Sequence, residues 1–281
     1  MNTYALQIAE LAAINCMLAL GAYVSLSSGL MVVCFGAVMS IGGIAAAAAY
    51  SAGVPYCVAV LIGGLSGALC GAIVYALCAR LARFIFAMAT LGLGELARAM
   101  ATNTETLGGA LGYKNVQPDP SVLYSVVILA TVLAAFVWFE RSPLRTALHL
   151  VKDNDIVASG LGIDVGRHRF GAVLVGSFIV GIGGSLYIHS VGLLDPRMFG
   201  FQNSVQILVF ALVGGTAGYL GPVVGALTLT LLPELLRFST SARMLLYGVA
   251  LVAIMAVRPD GLVAPRVGSK RKNAREAAPA I

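Results

Sequence analysis

Charged side chains are scarce in this sequence of 281 residues. Only 11% of the residues are Asp, Glu, Lys or Arg, whereas 59% are hydrophobic, and the mean hydropathy is +0.92. A water-soluble domain usually carries about 25% charged residues, because its surface must be solvated. The shortage therefore excludes a soluble globular domain, a disordered chain and a nucleic-acid-binding domain, which all need more polar sequence. The composition is that of an integral membrane protein.

Motifs for nucleotide, metal or nucleophilic chemistry are also missing from the sequence. None of the four lysines follows a glycine, so the sequence has no Gly-Lys-Ser/Thr phosphate loop. The five cysteines form no Cys-x-x-Cys pair and are expected to be reduced packing residues. The three histidines have no nucleophile or carboxylate partner at local spacing. We therefore expect no catalytic residue, no metal and no cofactor in this chain, although residues distant in sequence could still form an enzyme site.

Long apolar runs fill most of the chain. A helix needs about 20 apolar residues to cross the hydrocarbon core. The runs predict an all-α polytopic membrane protein with about nine transmembrane helices, within a range of eight to ten. The joints near Ser27 and Gly218 are short and would equally suit broken or re-entrant helices. The predicted spans are 4–26, 29–50, 54–78, 84–102, 121–140, 168–190, 203–219, 220–237 and 243–258.

The arginines and lysines predict the orientation of the chain. If the 141–169 loop faces the cytoplasm, thirteen of the eighteen basic residues lie on that side, as the positive-inside rule requires. Nine spans then place the N-terminus outside and the C-terminus inside. We expect residues 1–263 to form one transmembrane domain and residues 264–281 a basic cytoplasmic tail that touches anionic lipid. The expected location is the inner membrane of a bacterial cell, with no role for nucleic acid.

The hydrophilic segment after the fifth predicted span, about residues 141–168, has the pattern of an amphipathic helix. Apolar residues after Pro143 recur on one helical face, which Asp155 continues. Pro143 suits the start of a helix, and Gly160 and Gly162 suit its end. The pattern predicts a helix along the cytoplasmic membrane surface. By itself it fits an interfacial helix with or without a protein partner.

Two opposite charges lie within the fourth predicted span. Glu95 and Arg98 are three residues apart, so they share a helical face and can neutralise each other. Either the pair merely reaches the outer interface, or Glu95 lies on a translocation path, because charges inside a bilayer are costly and commonly functional. The other candidates for that path are Arg98 and Thr90 on the same helix and Cys34 and Ser40 on the second.

Four blocks, in order, resemble the permease subunits of the branched-chain amino acid type of ABC importer, especially the permease conventionally lettered M. Each block alone is weak, but the ordered set is specific. The blocks are residues 90–95 (TLGLGE), residues 152–164 (KDNDIVASGLGID), residues 214–222 (GGTAGYLGP), and the closing elements 232–234 (LPE), 247–248 (YG) and 258–262 (RPDGL).

The resemblance implies the ABC-importer permease fold and a role for the segment from Arg145 to Asp164 as the coupling helix that docks onto a cytoplasmic ATPase. It also implies a second homologous permease, two ATPase subunits that carry ATP and Mg²⁺, and an extracytoplasmic solute-binding protein as partners. The matching coupling positions are Arg145, Lys152, Asp153, Asp155, Ala158, Gly160 and Gly162. The matching structural motif comprises Gly214, Gly215, Gly218, Gly221 and Pro222.

Departures from the family pattern leave the substrate open. Many relatives carry a polar run of the type Gly-Gln-x-Ser-x-Gly-His where this chain has the apolar residues 29–35 (GLMVVCF). The expected substrates are branched-chain or other hydrophobic amino acids, and the alternatives are urea, amides or aromatic acids. An ATP-independent channel or secondary carrier is a rival function. The sequence does not show whether the chain pairs with a different permease or with itself.

Overall fold

The computed structural model describes residues 2–104, 109, 122–193, 195–235, 248, 252 and 261–263. This part of the chain is helical and contains no β-strand, which confirms the predicted all-α class. The helices are α1 (Asn2–Ser27), α2 (Phe35–Ser51), α3 (Tyr56–Cys78), α4 (Arg83–Asn103), α5 (Val122–Glu140), α6 (Pro143–Asp153), α7 (Asp155–Gly160), α8 (Val165–Val191), α9 (Phe201–Gly214) and α10 (Leu220–Leu235), with a short 3-10 helix (Pro196–Phe199) before α9.

Helix α8 lies at the centre of the bundle, where it packs against α1, α2 and α3. Glycines make this close approach possible. A Cβ atom at Gly184 would overlap the backbone oxygen of Met39, and one at Gly181 would lie 2.6 Å from the backbone oxygen of Gly63. Small residues allow membrane helices to pack backbone against backbone, where lipid supplies no hydrophobic drive for association.

Eight of the predicted spans correspond to apolar helices in the described part of the chain. Four helices are long and apolar enough to cross a membrane, and α5 with α6 forms a further span if that pair, bent by 77°, is counted as one. Helices α2, α9 and α10 are apolar but shorter, at 17, 14 and 16 residues. The ninth predicted span, 243–258, lies outside the described residues except for residues 248 and 252. The count of nine therefore stays a prediction.

The second predicted span begins later than the apolar pattern indicates. Residues 30–34 form no regular structure, and α2 begins at Phe35. Gly29 has φ +79°, which turns the chain after α1. The hydroxyl oxygen of Thr90 on α4 accepts a hydrogen bond from the Val33 N–H at 3.0 Å. Non-helical backbone at membrane depth is tolerated where protein groups satisfy it in this way. Hydropathy could not reveal this, because residues 30–34 are as apolar as a helix.

The seventh predicted span, 203–219, is also shorter than predicted, because α9 ends at Gly214. Gly215 has φ +100°, a conformation that ends the helix. Residues 261–263 return to this point. The Leu262 N–H donates to the carbonyl oxygen of Val213 at 3.0 Å, and the Val263 N–H donates to that of Gly214 at 3.1 Å. The segment between α9 and α10 (residues 215–219) is called the α9–α10 joint below.

The bundle has two chemically distinct ends. The α6 end holds α6, α7, the start of α4 and the α9–α10 joint, as the contacts of Arg83 and Lys152 show. The opposite end holds the Glu95–Arg98 pair and the start of α9. The predicted topology requires these two groups on opposite sides of the membrane, and their separation agrees with it. Which end faces the cytoplasm stays a prediction, and the tail 264–281 lies outside the described residues.

Candidate functional site

The predicted amphipathic segment consists of two helices instead of one. Helix α6 begins at Pro143, as predicted, and the Ser142 hydroxyl caps it by accepting from the Leu144 N–H. Asn154 then adopts an extended conformation, with φ −156° and ψ 115°. Its side-chain oxygen accepts from the N–H groups of Ile156 and Val157 and so caps α7. The prediction of one continuous helix is therefore wrong, because the asparagine side chain replaces a helical hydrogen bond.

Asp155 is held between two arginines from different helices. Nη2 of Arg169, on α8, donates to both carboxylate oxygens at 2.8 Å, and Nη2 of Arg83, on α4, donates to Oδ1. Arg83 also donates to the carbonyl oxygens of Val151 and Lys152 at the end of α6. We call Arg83, Asp155 and Arg169 the arginine clamp. It ties the junction of α6 and α7 to both α4 and α8.

The charges of the clamp control the ionisation of its carboxylate. Burial acts to raise the pKa of Asp155, but hydrogen bonds from Arg83 and Arg169, together with their positive charges, outweigh burial and hold the pKa below its ordinary value. The carboxylate is therefore ionised at neutral pH, which is the state that accepts both arginines.

Two further predicted coupling residues contact the α9–α10 joint. Nη2 of Arg145 donates to the carbonyl oxygen of Ala217 at 2.9 Å, and Nζ of Lys152 donates to the hydroxyl of Thr216 at 3.1 Å. Glu140, at the end of α5, accepts from the Tyr219 N–H at 3.1 Å and lies 3.8 Å from Arg145. The glycine-rich motif and the coupling segment, noted separately in the sequence, thus form one structure. Their contact was not predicted.

The glycine-rich motif itself is a tight turn between α9 and α10. A Cβ atom at Gly214 would overlap the carbonyl group of Gly221, and one at Gly221 would overlap the carbonyl group of Gly215. Gly218 lies beside the carboxylate of Glu140, and Pro222 follows at the start of α10. The motif therefore positions the joint that Arg145 contacts.

The remaining coupling positions divide between the surface and the interior. Asp153, Gly160 and Gly162 are exposed, whereas Ala158 is fully buried. The most exposed apolar side chains of the region give no signal in the sequence, because apolar residues are ordinary in so apolar a chain. They are Ile156, Val157 and Leu161, which are 84%, 52% and 65% exposed. These three residues are called the α7 apolar face.

Three of the translocation-path candidates are buried. Thr90 contacts the segment before Cys34 through Val33, and a Cβ atom at Gly94 would lie 3.5 Å from Cys34 Cβ. The structure thus brings Cys34 and Thr90 together. Ser40 lies further along α2, and its buried hydroxyl has no hydrogen-bond partner within the described part of the chain. Their role in translocation stays a prediction.

Glu95 and Arg98 form the predicted pair, with Arg98 Nε 2.6 Å from Glu95 Oε2. The second carboxylate oxygen accepts a hydrogen bond from the Phe201 N–H, at the start of α9, at 2.7 Å. A carboxylate there interacts favourably with the positive end of the helix dipole. The two side chains are 34% and 47% exposed, so the pair reaches the surface of this chain. Within the described residues, no group of three His, Cys, Asp or Glu side chains is placed to hold a metal ion.

A bundle of apolar helices, with a charged segment at one end tied to several of them, has the architecture of a polytopic membrane transport subunit. The family described as "Branched-chain amino acid transport system / permease component" matches residues 4–255. The chain belongs to this family, which confirms the resemblance read from its four sequence blocks. The family consists of transport permeases, not enzymes, and places this multi-pass protein in the inner membrane.

Two curated relatives carry the same printed name, "High-affinity branched-chain amino acid transport system permease protein LivM". The protein from Escherichia coli (strain K12) is 28% identical over 293 aligned positions, covering 91% of this chain and 69% of the relative. That from Salmonella typhimurium (strain LT2) is 27% identical over 272 positions, covering 84% of this chain and 64% of the relative. The chain therefore spans about two thirds of the length of these relatives. No solved structure matches the chain.

Proposed function

We propose that this permease is the translocating subunit of an ATP-driven importer for branched-chain or other hydrophobic amino acids, and that the segment α6–α7 docks onto a separate ATPase subunit. The observation that carries the docking proposal is the α7 apolar face next to the arginine clamp. Ile156 is 84% exposed although it belongs to a polar, capped segment at one end of the bundle.

A protein partner fits the α7 apolar face better than lipid does. Burying a large aliphatic side chain contributes about 1.5–3 kcal/mol. That face lies close to Asp153, an exposed carboxylate that forms no ion pair within the described residues, and such a group is repelled by the negatively charged cytoplasmic surface of a membrane. The face is thus suited to an apolar groove on a protein whose rim carries positive charge.

The contacts of the segment would transmit a movement of the ATPase into the membrane. A push on α7 displaces Asp155, which is bound to Arg83 on α4 and to Arg169 on α8. The same movement displaces Lys152, which contacts the α9–α10 joint. Rigid elements with two packing arrangements convert a local displacement into a change of state. Closure of the ATPases on ATP would in this way switch the permease between outward- and inward-facing states.

The partners follow from the type of transport system to which the family belongs. The ATPase subunits would bind ATP and Mg²⁺, so this chain would need no cofactor. A second homologous permease would complete the path, and an extracytoplasmic solute-binding protein would deliver the substrate. The apolar residues 30–34 join α1 to α2 and contact α4 through Thr90. Their apolar character supports a substrate with an apolar side chain. The names of the two relatives support branched-chain amino acids within that class.

A co-purification experiment tests the docking proposal. The permease is expressed with its ATPases, the second permease and the binding protein, either as wild type or as Ile156→Asp. We expect Ile156→Asp to lose most of the bound ATPase and of the substrate-stimulated ATP hydrolysis while it remains in the membrane. Leu193→Asp introduces a carboxylate at an exposed apolar residue of the opposite end and should retain the bound ATPase. Full ATPase retention by Ile156→Asp would contradict the proposal, as would substrate accumulation by the chain alone without ATP.

A further inference from the structure

A half-open apolar groove of about 620 Å³ runs along the bundle between α5 and α8. It is distinct from the translocation-path candidates, and none of those residues lines it. Its floor includes Val24 of α1, and its walls carry Phe136 from α5 and Ile179 from α8. The groove reaches the α6 end of the bundle, where Leu144 and Leu148 of α6 also line it.

The groove exists because α5 packs on α1 instead of along α8. At Gly171, on the wall formed by α8, an added Cβ atom would have no atom within 4 Å, so the wall is open there. Trp138 on the opposite wall is 76% exposed. Trp is enriched where a membrane protein meets the lipid headgroups, which suits its place near the α6 end.

The dimensions of the groove suit a hydrocarbon chain and not a further helix. From Arg167 to Ile182, α8 lines the groove over about 22 Å, at 1.5 Å per residue. The volume, which counts the positions open to the centres of water-sized atoms, gives a mean cross-section of about 28 Å² when divided by this length, and about 1.4 Å of atomic radius on each side enlarges the section to roughly 60 Å². A helix with its side chains is about 10–12 Å wide, or roughly 80–110 Å² in section. An extended hydrocarbon chain is about 4–5 Å wide, since non-bonded carbons pack about 4 Å apart. One leaflet of the hydrocarbon core is about 15 Å thick, which is within the length of the groove.

The charged residues of the lining stand at the α6 end of the groove. Arg167 and His168 line the groove there, and Arg167 is 88% exposed. The neighbouring carboxylate of Asp164 lies 3.1 Å from Arg167 Nε, and the Asp164 carbonyl oxygen lies 2.8 Å from His168 Nδ1. The contact with Asp164 uses one edge of the guanidinium group of Arg167. The high exposure of that side chain keeps its other N–H groups accessible to an anion. Arg141, the exposed residue after α5, adds positive charge to the same end.

We propose that this groove binds one acyl chain of an anionic phospholipid, whose phosphate meets Arg167 and His168. The match between an apolar groove that is too narrow for a helix and a cationic mouth carries the inference. It rests on the proposed function only for the assignment of the α6 end, and hence of the lipid, to the cytoplasmic leaflet.

The bound lipid supports the coupling segment. Leu144 and Leu148 would pack against the acyl chain from below, and α6 carries Arg145 and Lys152, which contact the α9–α10 joint. Leu148 is already buried against the bundle, but an empty groove would leave Leu144, which is 51% exposed, without a packing partner on that side. Anionic lipid therefore acts as a structural ligand of the segment that transmits the ATPase movement.

Native mass spectrometry of the purified full-length chain tests the proposal, after exchange into micelles with phosphatidylglycerol or with phosphatidylcholine. We expect the wild type to retain one phosphatidylglycerol at least tenfold more than phosphatidylcholine. Gly171→Leu fills the groove without a backbone clash and should lose that lipid. Gly92→Leu is the matched control, because Gly92 also has open space around its Cβ position but lies on α4, away from the groove. Arg167→Glu should remove the preference for phosphatidylglycerol.

Other results of the same experiment would contradict the proposal. Equal phosphatidylglycerol retention by wild type and Gly171→Leu would overturn the proposal, as would an unchanged lipid preference in Arg167→Glu. Loss of the second permease from the assembled transporter in Gly171→Leu, with lipid retention unchanged, would assign the groove to a protein interface instead. Because the readout is lipid mass on the permease alone, it is independent of the co-purification of ATPase with Ile156→Asp.

Discussion

Arg169 on α8 donates from one nitrogen to both carboxylate oxygens of Asp155, at 2.8 Å each. The arginine is 15% exposed and the aspartate 41%, so the contact lies at the edge of the bundle rather than free in solvent. It joins the start of α7 to the central helix of the fold. Helix α7 therefore cannot shift relative to α8 unless this contact moves with it or breaks.

Replacement of Arg169 by lysine should weaken coupling while the charge is kept. Lysine cannot reproduce the planar guanidinium contact, and a partly exposed pair of this kind is worth about 1 kcal/mol. We expect substrate-stimulated ATP hydrolysis of the assembled transporter to fall about fivefold, the ratio that corresponds to that energy. Arg80→Lys is the control, because Arg80 is exposed at the same end of the bundle and lies outside both the clamp and the groove. Equal losses in the two variants would contradict a specific role for Arg169.

A double-mutant cycle on Arg83 and Asp155 tests whether the clamp acts as one unit. Each side chain is 41% exposed, and the two form a direct ion pair. We expect Arg83→Gln and Asp155→Asn each to reduce the stimulated ATPase rate, and the double variant to lose little more than the worse single variant, because both remove the same contact. Strictly additive losses would show that the two residues act independently.

The lowered pKa of Asp155 predicts how stability should depend on pH. A carboxylate with a depressed pKa stabilises the folded protein above its unfolded pKa, which is about 3.9 for aspartate, and loses that contribution as pH falls through the folded value. The difference in melting temperature between wild type and Asp155→Asn should be constant from about pH 8 to pH 5 and should shrink only below about pH 4. Disappearance of the difference between pH 6 and 7 would contradict this account.

The hydroxyl group of Thr90 should contribute to the stability of the folded protein. That oxygen accepts from the Val33 N–H and also donates to the Ala87 carbonyl oxygen. Thr90→Val keeps the shape but leaves a buried N–H without a partner, which costs about 1–3 kcal/mol. We expect a lower melting temperature for Thr90→Val in detergent and a near-wild-type value for Thr90→Ser. An unchanged melting temperature for Thr90→Val would contradict this role, and equal losses in both variants would show that the methyl group matters as well.

Gly184 should tolerate no side chain. A Cβ atom there overlaps the Met39 backbone oxygen, so α2 and α8 would have to separate. Overpacking of this kind costs about 1–3 kcal/mol or more. Gly184→Ala should reduce the yield of monodisperse protein in size-exclusion chromatography, whereas Gly92→Ala, with open space at its Cβ position, should not. A normal yield of Gly184→Ala would show that the two helices can move apart.

Hydropathy and the residues that start and end helices were sufficient to predict the fold class and most helix positions. Pro143 marked the start of α6 correctly, because its missing N–H is not needed there. The start of α2 was misplaced because the irregular residues 30–34 are stabilised by Thr90, a partner distant in the sequence. The break at Asn154 was missed because the helical face that begins after Pro143 continues through it to Asp155. Asparagine at that position is nevertheless a capping signal.

The contacts of the candidate site could not be predicted from the sequence, and the reason is again one of distance. The sequence placed Asp155 and Lys152 in the predicted coupling segment, but it did not show which way they face. Arg83 and Arg169 were not identified, since they lie on other helices, 72 and 14 residues from Asp155. Only the packing of α4 and α8 brings them to one carboxylate. The exposure of Ile156 was equally invisible, because burial depends on neighbours that local periodicity does not contain.

Residues 261–263 complete the end of α9 by bonding to the carbonyl oxygens of Val213 and Gly214. The two carbonyl groups precede the segment that bonds to them by about fifty residues, so during translation the end of α9 stays open until those residues have been added. A chain truncated before residue 261 lacks these two bonds, and its α9 should therefore fray at the joint that Arg145 and Lys152 contact.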